Sequence, residues 1–446
     1  MTFDPTASEP KNAGIPDSLQ RIEMVRTVHD GWKRAQNEAL SLVVSLVDEI
    51  KEVDALVRTC NRNRDRPAAN GFKQTRKLLE YRLRQVRSAI DAIVWTICGR
   101  QHYVVRRLRL DGADGSLDRH SLLLNLEAAD DYNSSPTTCA ILSDLTTFVH
   151  VGDLVIAEHD GAGHTITLAE VKSGDVNEKC HEVLDRFSAS QCQRQLAYAL
   201  SEMTEREQEQ LSRMARQVER LNETVNTLRT DRGTDISTGK RIEIPSEVFE
   251  VEDYGDVIVE MAEELADDAN WAIRDVDECL FLGLYKDRRM SAAFEAWVEG
   301  LGVASPRFAY LPMVNAVGLP CPTLAAPLPQ GLRMKLFTGD YWMMMCLDID
   351  RWMEVVNAQL SCEIQLATKR ESGRNRMKRG DMIEHRGRLL KASVGEKSVF
   401  LGTGILSRIL TSFDRPVSTM RPYERFASSN PVGPDDISPS NENGAE

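Results

Sequence analysis

The sequence predicts a multidomain α/β protein, in which a helical N-terminal arm precedes an α/β core, a long helix and a C-terminal α+β domain. Three observations support this fold class. A length of 446 residues exceeds what one ordinary hydrophobic core serves. Apolar residues recur at helical spacing up to residue 109, and from residue 139 they alternate as in strands. A second helical run, from residue 182 to 228, separates those strands from a further mixed region.

The N-terminal arm is expected to be a helical hairpin within residues 17–110, after a segment, residues 1–16, that we expect to be disordered. Two stretches of helical periodicity flank the breaker-rich run NRNRDRPAANG. They cover residues 17–57 and 72–109, and the second, from about residue 85, should also contribute to the core. The core itself is assigned to residues 111–205, with strands in CAILSDLTTFV, VGDLVIA and HTITLAEVK.

The long helix, residues 206–231, carries apolar residues at alternating steps of three and four, which is typical of a coiled-coil seam. The pattern favours either a homodimer through residues 211–228 or a helix packed on its own domain. The seam consists of Leu211, Met214, Val218, Leu221, Val225 and Leu228. A C-terminal α+β domain, residues 240–425, carries no motif that assigns a role, and residues 426–446 are expected to be disordered.

Composition narrows the functional class. Nine cysteines occur without a C-x-x-C pair, which argues against a zinc knuckle and a disulfide scaffold. No signal peptide or membrane span is apparent, so we expect a cytoplasmic protein without a membrane partner. The net charge is −13, but residues 58–109 hold fourteen Lys or Arg against three acids, so a basic face on an acidic protein is feasible.

The hairpin VGDLVIAEHDGAGHTITLAEVKSG, residues 151–174, carries the chemistry. If its turn is centred between Gly161 and Ala162, Asp153 lies opposite Glu170 on the neighbouring strand. Side chains alternate along a strand, so Lys172 shares the face of Glu170. Two carboxylates at directly opposed strand positions lie close enough to share one Mg²⁺ or Mn²⁺ ion. A nearby ammonium group can orient a water or stabilise charge on a phosphate.

On the text GDLVI with LAEVKSG, residues 85–200 resemble the PD-(D/E)XK, restriction-endonuclease-like nuclease superfamily. The resemblance implies a restriction-endonuclease-like core with Asp153, Glu170 and Lys172 as catalytic residues. It further implies that the metal is held by Asp153, Glu170 and the backbone carbonyl of Val171. Gly152 stands where that family's name-giving proline would be.

The superfamily often has a further acid on the helix before the first core strand. Asp91, on an otherwise apolar helical stretch, is the first candidate, since an unpaired carboxylate there is costly. Glu127 and Asp144 are alternatives, and ordinary solvation or pairing would explain any of the three. Gln195, in RQLAYAL, is similar to a glutamine that follows the active-site strands in RecB-like nucleases. The tyrosine that follows it is one residue closer to the glutamine here than in that branch.

Two groups of cations are candidates for contacts with a phosphate backbone, although a solvated helix end or loop would also carry them. The groups are Arg100, Arg106, Arg107 and Arg109, and Arg374, Arg376, Lys378 and Arg379. We therefore expect Mg²⁺-dependent cleavage of nucleic acid, DNA first and RNA as an alternative, in a prokaryotic defence or restriction context. The competing hypothesis is an inactive nuclease-like protein that binds nucleic acid as a sensor or scaffold.

Overall fold

The chain folds as two compact units, Met1–Val248 and Phe249–Glu446. The computed structural model describes residues 2–3, 18–109, 117–159, 163–171, 175–190, 192–230, 232–234, 241–243, 251–266, 269–311, 321–376, 382–395 and 397–428. The predicted arm, α/β core and long helix all belong to the first, N-terminal unit. The predicted C-terminal domain corresponds to the second, which begins nine residues later than expected, at 249 rather than 240.

The N-terminal arm is a helical hairpin, as the sequence predicts, of α1 (Ser18–Arg62) and α2 (Arg66–Ile97). The second helix begins within the breaker-rich run rather than at residue 72. Asp65 caps it, accepting a hydrogen bond from the Ala68 N–H at 3.1 Å, and Pro67 is tolerated because first-turn N–H groups need no helical partner. The predicted second helix is also interrupted: after Gly99 and Arg100, both with positive φ, the chain starts α3 (His102–Leu108).

The sheet of the N-terminal unit has four antiparallel strands in the order β1-β4-β3-β2. α4 (Arg119–Asn133) leads into β2 (Thr138–Leu142), a 3-10 turn covers Ser143–Leu145, and β3 (Leu154–His159) and β4 (His164–Ala169) follow. β1 (Thr2–Phe3) pairs with β4, although it lies in the segment expected to be disordered. Every residue of β2 is buried.

The outer edge of β2 is covered by side-chain amides instead of another strand. Gln36 of α1 is fully buried; its Nε2 donates to the Ala140 carbonyl at 3.0 Å and its Oε1 accepts from the Leu142 N–H at 2.9 Å. Asn133 accepts from the Ala140 N–H at 2.8 Å. Helix α1 of the arm therefore docks on the sheet through hydrogen bonds that replace those of a neighbouring strand.

Three helices follow the sheet, where the sequence suggests one run: α5 (Asp175–Ser190), α6 (Gln193–Ser201) and α7 (Glu205–Thr230). Leu211 and Met214 of the predicted seam are buried with Cys180 and Met203 of the same chain, whereas Val218 is 43% exposed. The first part of the seam is thus packed on its own unit. A short hairpin of β5 (Arg232–Thr234) and β6 (Arg241–Glu243) follows.

The C-terminal unit has the predicted α+β composition. One antiparallel sheet has the order β7-β8-β10-β9; in a second, β13 pairs with β11, β12 and β14. A shared core includes Tyr254, Trp352 and Phe413, all fully buried. The strands are β7 (Trp271–Val276), β8 (Leu280–Tyr285), β9 (Pro306–Leu311), β10 (Trp342–Asp348), β11 (Glu363–Leu366), β12 (Glu384–His385), β13 (Arg388–Val394) and β14 (Lys397–Phe400). The helices are α8 (Gly255–Ala266), α9 (Ser291–Gly300), α10 (Gln330–Thr338), α11 (Ile349–Gln359), α12 (Lys369–Arg376), α13 (Gly404–Thr411) and α14 (Arg421–Ser428).

Within the described ranges of both units, no helix is both long and apolar enough to cross a membrane.

Candidate functional site

The β3–β4 hairpin has the register that the sequence predicts. Its pairs run from Leu154↔Ala169 to His159↔His164, so Asp153 and Glu170 are the residues just beyond the last pair at one end. The Asp153 N–H donates to the Ala169 carbonyl at 2.7 Å, and the Val171 N–H donates to Asp153 Oδ2 at 2.7 Å. The C-terminal end of β4 therefore holds both the backbone and the carboxylate of Asp153 in place.

Gly152 makes this arrangement possible. Its φ of +80° lies in the left-handed region, and a Cβ at this position would stand 3.1 Å from the Ala169 carbonyl oxygen. Proline, with φ near −65°, cannot adopt this conformation. The glycine at position 152 therefore has a local cause, the tight bend that brings Asp153 against the end of β4.

Asp153 lines a cavity of about 320 Å³ that we call the inner cavity. Asp144, from the 3-10 turn after β2, and Val171 line it as well. Helices supply the other walls: Ser121, Leu124 and Asn125 from α4, Asn177 from α5, and Gln210, Arg213 and Gln217 from α7. Two carboxylates from the ends of neighbouring strands thus share one polar cavity, with an arginine in its wall.

The second carboxylate of the inner cavity is Asp144, one of the two alternatives to Asp91 for the further acid. Burial raises the pKa of Asp144, and the nearby Arg87 guanidinium partly opposes that rise. Glu170 is half-buried beside Asp153 and does not occur among the described residues that line the cavity. Lys172, the third predicted catalytic residue, lies outside the described residues.

Asp91, the first candidate for the extra acid, has a different position. It is 5% exposed, and its carboxylate accepts hydrogen bonds from the Thr147 N–H and the Thr147 hydroxyl, each at 2.7 Å. Burial raises the pKa of Asp91 to about 6. Asp91 is not part of the described cavity lining; it fixes the backbone three residues after Asp144, and we therefore regard it as a positioning residue.

The two remaining candidates lie away from the inner cavity. Glu127 is exposed on α4, although its helix neighbour Asn125 is buried and faces the cavity. Gln195 is exposed on α6 and is likewise absent from the described lining. Helix α4, which precedes β2, does contribute to the cavity, but through the amide of Asn125 instead of an acid.

The predicted phosphate-binding cations do not line the inner cavity in the part of the chain that the structure describes. Arg100 follows α2, and Arg106, Arg107 and Arg109 lie on or just after α3, which packs against α7. Arg374 and Arg376 belong to α12, and Lys378 and Arg379 lie outside the described residues. Two other guanidinium groups lie near the carboxylates, namely Arg213 in the cavity wall and Arg87 near Asp144. Arg213 belongs to the helix whose spacing is typical of a coiled-coil seam.

The oxygen donors of the inner cavity suit a hard divalent cation. No group of three or more His, Cys, Asp or Glu side chains that could hold a metal occurs among the described residues. Magnesium does not require one, since it is usually bound through one or two carboxylates and keeps several waters. Asp144, Asp153 and a main-chain carbonyl such as that of Val171 therefore form a fitting donor set.

Known proteins offer no independent guide to this site. Comparisons of the chain with protein-family models, with curated proteins and with solved structures find no match.

Proposed function

We propose that the N-terminal unit is a divalent-metal-dependent phosphodiesterase that cleaves nucleic acid, DNA in the first place, as a member of the PD-(D/E)XK group. The observation that supports this most is the shared inner cavity, into which the ends of β2 and of the β3–β4 hairpin bring Asp144, Asp153 and Val171. The register that puts Glu170 beside Asp153 agrees with the same superfamily signature.

Asp153 would be the principal metal ligand, because the Val171 N–H already fixes its carboxylate. Asp144 and the Val171 carbonyl would complete the protein ligands, with Glu170 as the alternative second acid that the signature implies. A bound Mg²⁺ or Mn²⁺ would act as a Lewis acid on the phosphate and on the attacking water. Lys172 would orient that water. Because burial raises the pKa of Asp144, protons compete with the cation for this carboxylate more strongly than for an exposed one, and cation binding should weaken as the pH falls.

The competing hypothesis, a nuclease-like sensor or scaffold that binds without cleaving, makes a different prediction for the same residues. A binding protein does not need a cation at the inner cavity, so replacing its acids would leave the affinity for nucleic acid unchanged or raise it by removing negative charge.

The test is cleavage of plasmid, single-stranded DNA and RNA by purified protein, with Mg²⁺, Mn²⁺ or EDTA. We expect metal-dependent cleavage, and we expect Asp153→Asn to reduce its rate by about a thousandfold, since the cation that stabilises charge on the reacting phosphate loses its principal protein ligand. Asp144→Asn and Glu170→Gln decide which acid is the second ligand, and Lys172→Ala tests the lysine. Glu158→Gln is the matched control, because Glu158 is an exposed acid on β3 itself.

Undiminished cleavage by Asp153→Asn would reject the site. Nucleic-acid binding without cleavage under any of these metal conditions would favour the sensor or scaffold.

A further inference from the structure

A second cavity adjoins the inner one. It is a groove of about 1090 Å³ between the start of α5 and the first half of α7, which we call the outer groove. The two cavities share three lining residues, Asn177, Gln210 and Arg213. The outer groove is therefore continuous with the wall of the site that holds Asp144 and Asp153, and a ligand that fills both must pass Arg213.

The outer groove is lined by three arginines of α7, namely Arg206, Arg213 and Arg216. Steps of seven and three residues place them on one side of the helix, over a rise of about 15 Å. All three are exposed, and none forms an ion pair with an acid among the residues that the structure describes. By contrast, the neighbouring Lys179 is neutralised by Glu207 at 2.9 Å.

Acids also border the outer groove. Glu205 and Glu209 line it, so the lining carries three positive and two negative charges. Both glutamates lie in the first six residues of α7, whereas Arg213 and Arg216 follow them toward the inner cavity. The positive end of the groove is thus the end that meets the carboxylates.

Arg213 is held at the junction by a chain of side-chain hydrogen bonds. Gln210 Nε2 donates to Asn177 Oδ1 at 2.5 Å, and the Arg213 guanidinium donates to Gln210 Oε1. The chain links α5 to α7 and fixes the guanidinium without using a carboxylate. A guanidinium in this position keeps its net charge and most of its donors for an anion, and its planar fork matches the geometry of a phosphate.

We propose that the outer groove binds the sugar–phosphate backbone of the nucleic-acid strand that enters the inner cavity, with Arg213 on the phosphate nearest to the carboxylates. A rise of about 15 Å corresponds to roughly four nucleotides of a B-form strand. This proposal rests on the proposed function, and it moves the binding surface from the predicted cation groups to a helix whose pattern suggested dimerisation.

Binding is measured in EDTA, so that cleavage plays no part, with fluorescein-labelled oligonucleotides of about 12 nucleotides as single-stranded DNA, duplex DNA and single-stranded RNA. We expect the combined variant R206Q/R213Q/R216Q to raise the Kd at least about tenfold at low salt. Each lost contact should also flatten the slope of log affinity against log salt by about 0.9 on duplex and about 0.7 on single strands.

Two control variants separate charge from structure. R206K/R213K/R216K keeps the charges and should keep most of the salt slope, whereas a purely structural role would not be rescued. Arg229→Gln removes an exposed arginine at the far end of α7 and should bind as the wild type does.

The groove proposal is overturned if the glutamine variant binds with an unchanged slope, or if the wild-type protein binds none of the three oligonucleotides at low salt. An unchanged slope together with metal-dependent cleavage leaves the proposed function standing without the groove. Loss of binding in the glutamine variant, with no cleavage by the wild type under any metal, supports the groove and rejects the phosphodiesterase.

Discussion

Asp91 is a buried carboxylate whose hydrogen bonds hold the loop at Thr147. Its pKa is raised to about 6 in the folded protein because burial disfavours the charge, although Thr147 and Arg87 act in the opposite direction. Between the ordinary pKa and this value the folded state binds more protons than the unfolded state. The stability contributed by Asp91 is therefore greatest at acidic pH and is lost as the pH rises through about 6.

The variant Asp91→Asn removes this titration. The unfolding free energy of the variant minus that of wild type should increase by about 3 kcal/mol between about pH 4 and pH 7. This size follows because the pKa of Asp91 is raised by roughly two pH units on folding. Urea unfolding at several pH values measures the difference. Thr147→Ala should steepen the wild-type dependence, since it removes a hydrogen bond that favours the ionised carboxylate. Parallel pH curves for Asp91→Asn and wild type would show that burial does not control this group.

Residue patterns indicated Asp153 and Glu170, but they offered Asp144 only as an alternative to Asp91. The turn in the β3–β4 hairpin sets the register, so local sequence was sufficient to place Asp153 and Glu170 together. Asp144 lies in CAILSDLTTFV, which resembles a continuous strand. The strand ends at Leu142 because α2 imposes another conformation: Arg87 donates to the Thr146 carbonyl, and Asp91 binds Thr147. Those contacts join residues more than fifty positions apart, which no local pattern reveals.

At the scale of elements, the edge of β2 depends on one side chain of α1. Replacing Gln36 with Met keeps its length but leaves the Leu142 N–H buried without its partner and takes one donor from the Ala140 carbonyl. We expect Gln36→Met to lower the free energy of unfolding by about 2 kcal/mol, the usual cost of an unsatisfied buried polar group.

The matched control is Asn37→Met, one residue along the same helix at an exposed position, which should change stability by less than about 0.5 kcal/mol. Equal effects of the two replacements in urea unfolding would mean that the amide ladder on β2 contributes nothing specific.

Helix boundaries show where sequence patterns are sufficient. The periodicity of α1 and α2 predicted a hairpin, and the start of α2 is marked by Asp65 as the N-cap and by Pro67 in the first turn. The seam on α7 was ambiguous for a physical reason. Leu211 and Met214 have the spacing of a dimer interface, but the same spacing serves a helix that packs on α5 and α6 of its own chain.

At the scale of the whole molecule, both cavities and all the residues that line them belong to the N-terminal unit. Each unit also has its own buried core, which includes Trp95 and Ile141 in one and Tyr254 and Trp352 in the other. Composition and periodicity were enough to predict several domains, but the boundary at residue 248 required tertiary contacts.

We expect a fragment of residues 1–248 to retain the metal-dependent cleavage of the full chain, and a fragment of residues 249–446 to fold cooperatively without that activity. Circular dichroism melts and the cleavage assay test both statements, with Asp153→Asn in the short fragment as the control. Loss of activity on removal of residues 249–446, in a fragment that still melts cooperatively, would mean that the site is incomplete without the C-terminal unit.

The hydrogen bonds between Gln36 and β2 also impose an order in time. They join residues 104 and 106 positions apart, so at ordinary rates of translation Ala140 emerges about 5 to 20 s after Gln36. A helical hairpin made of local contacts forms within microseconds to milliseconds. On the ribosome, we therefore expect α1 and α2 to be assembled before β2 is available, so that Gln36 is already in place when β2 pairs with it.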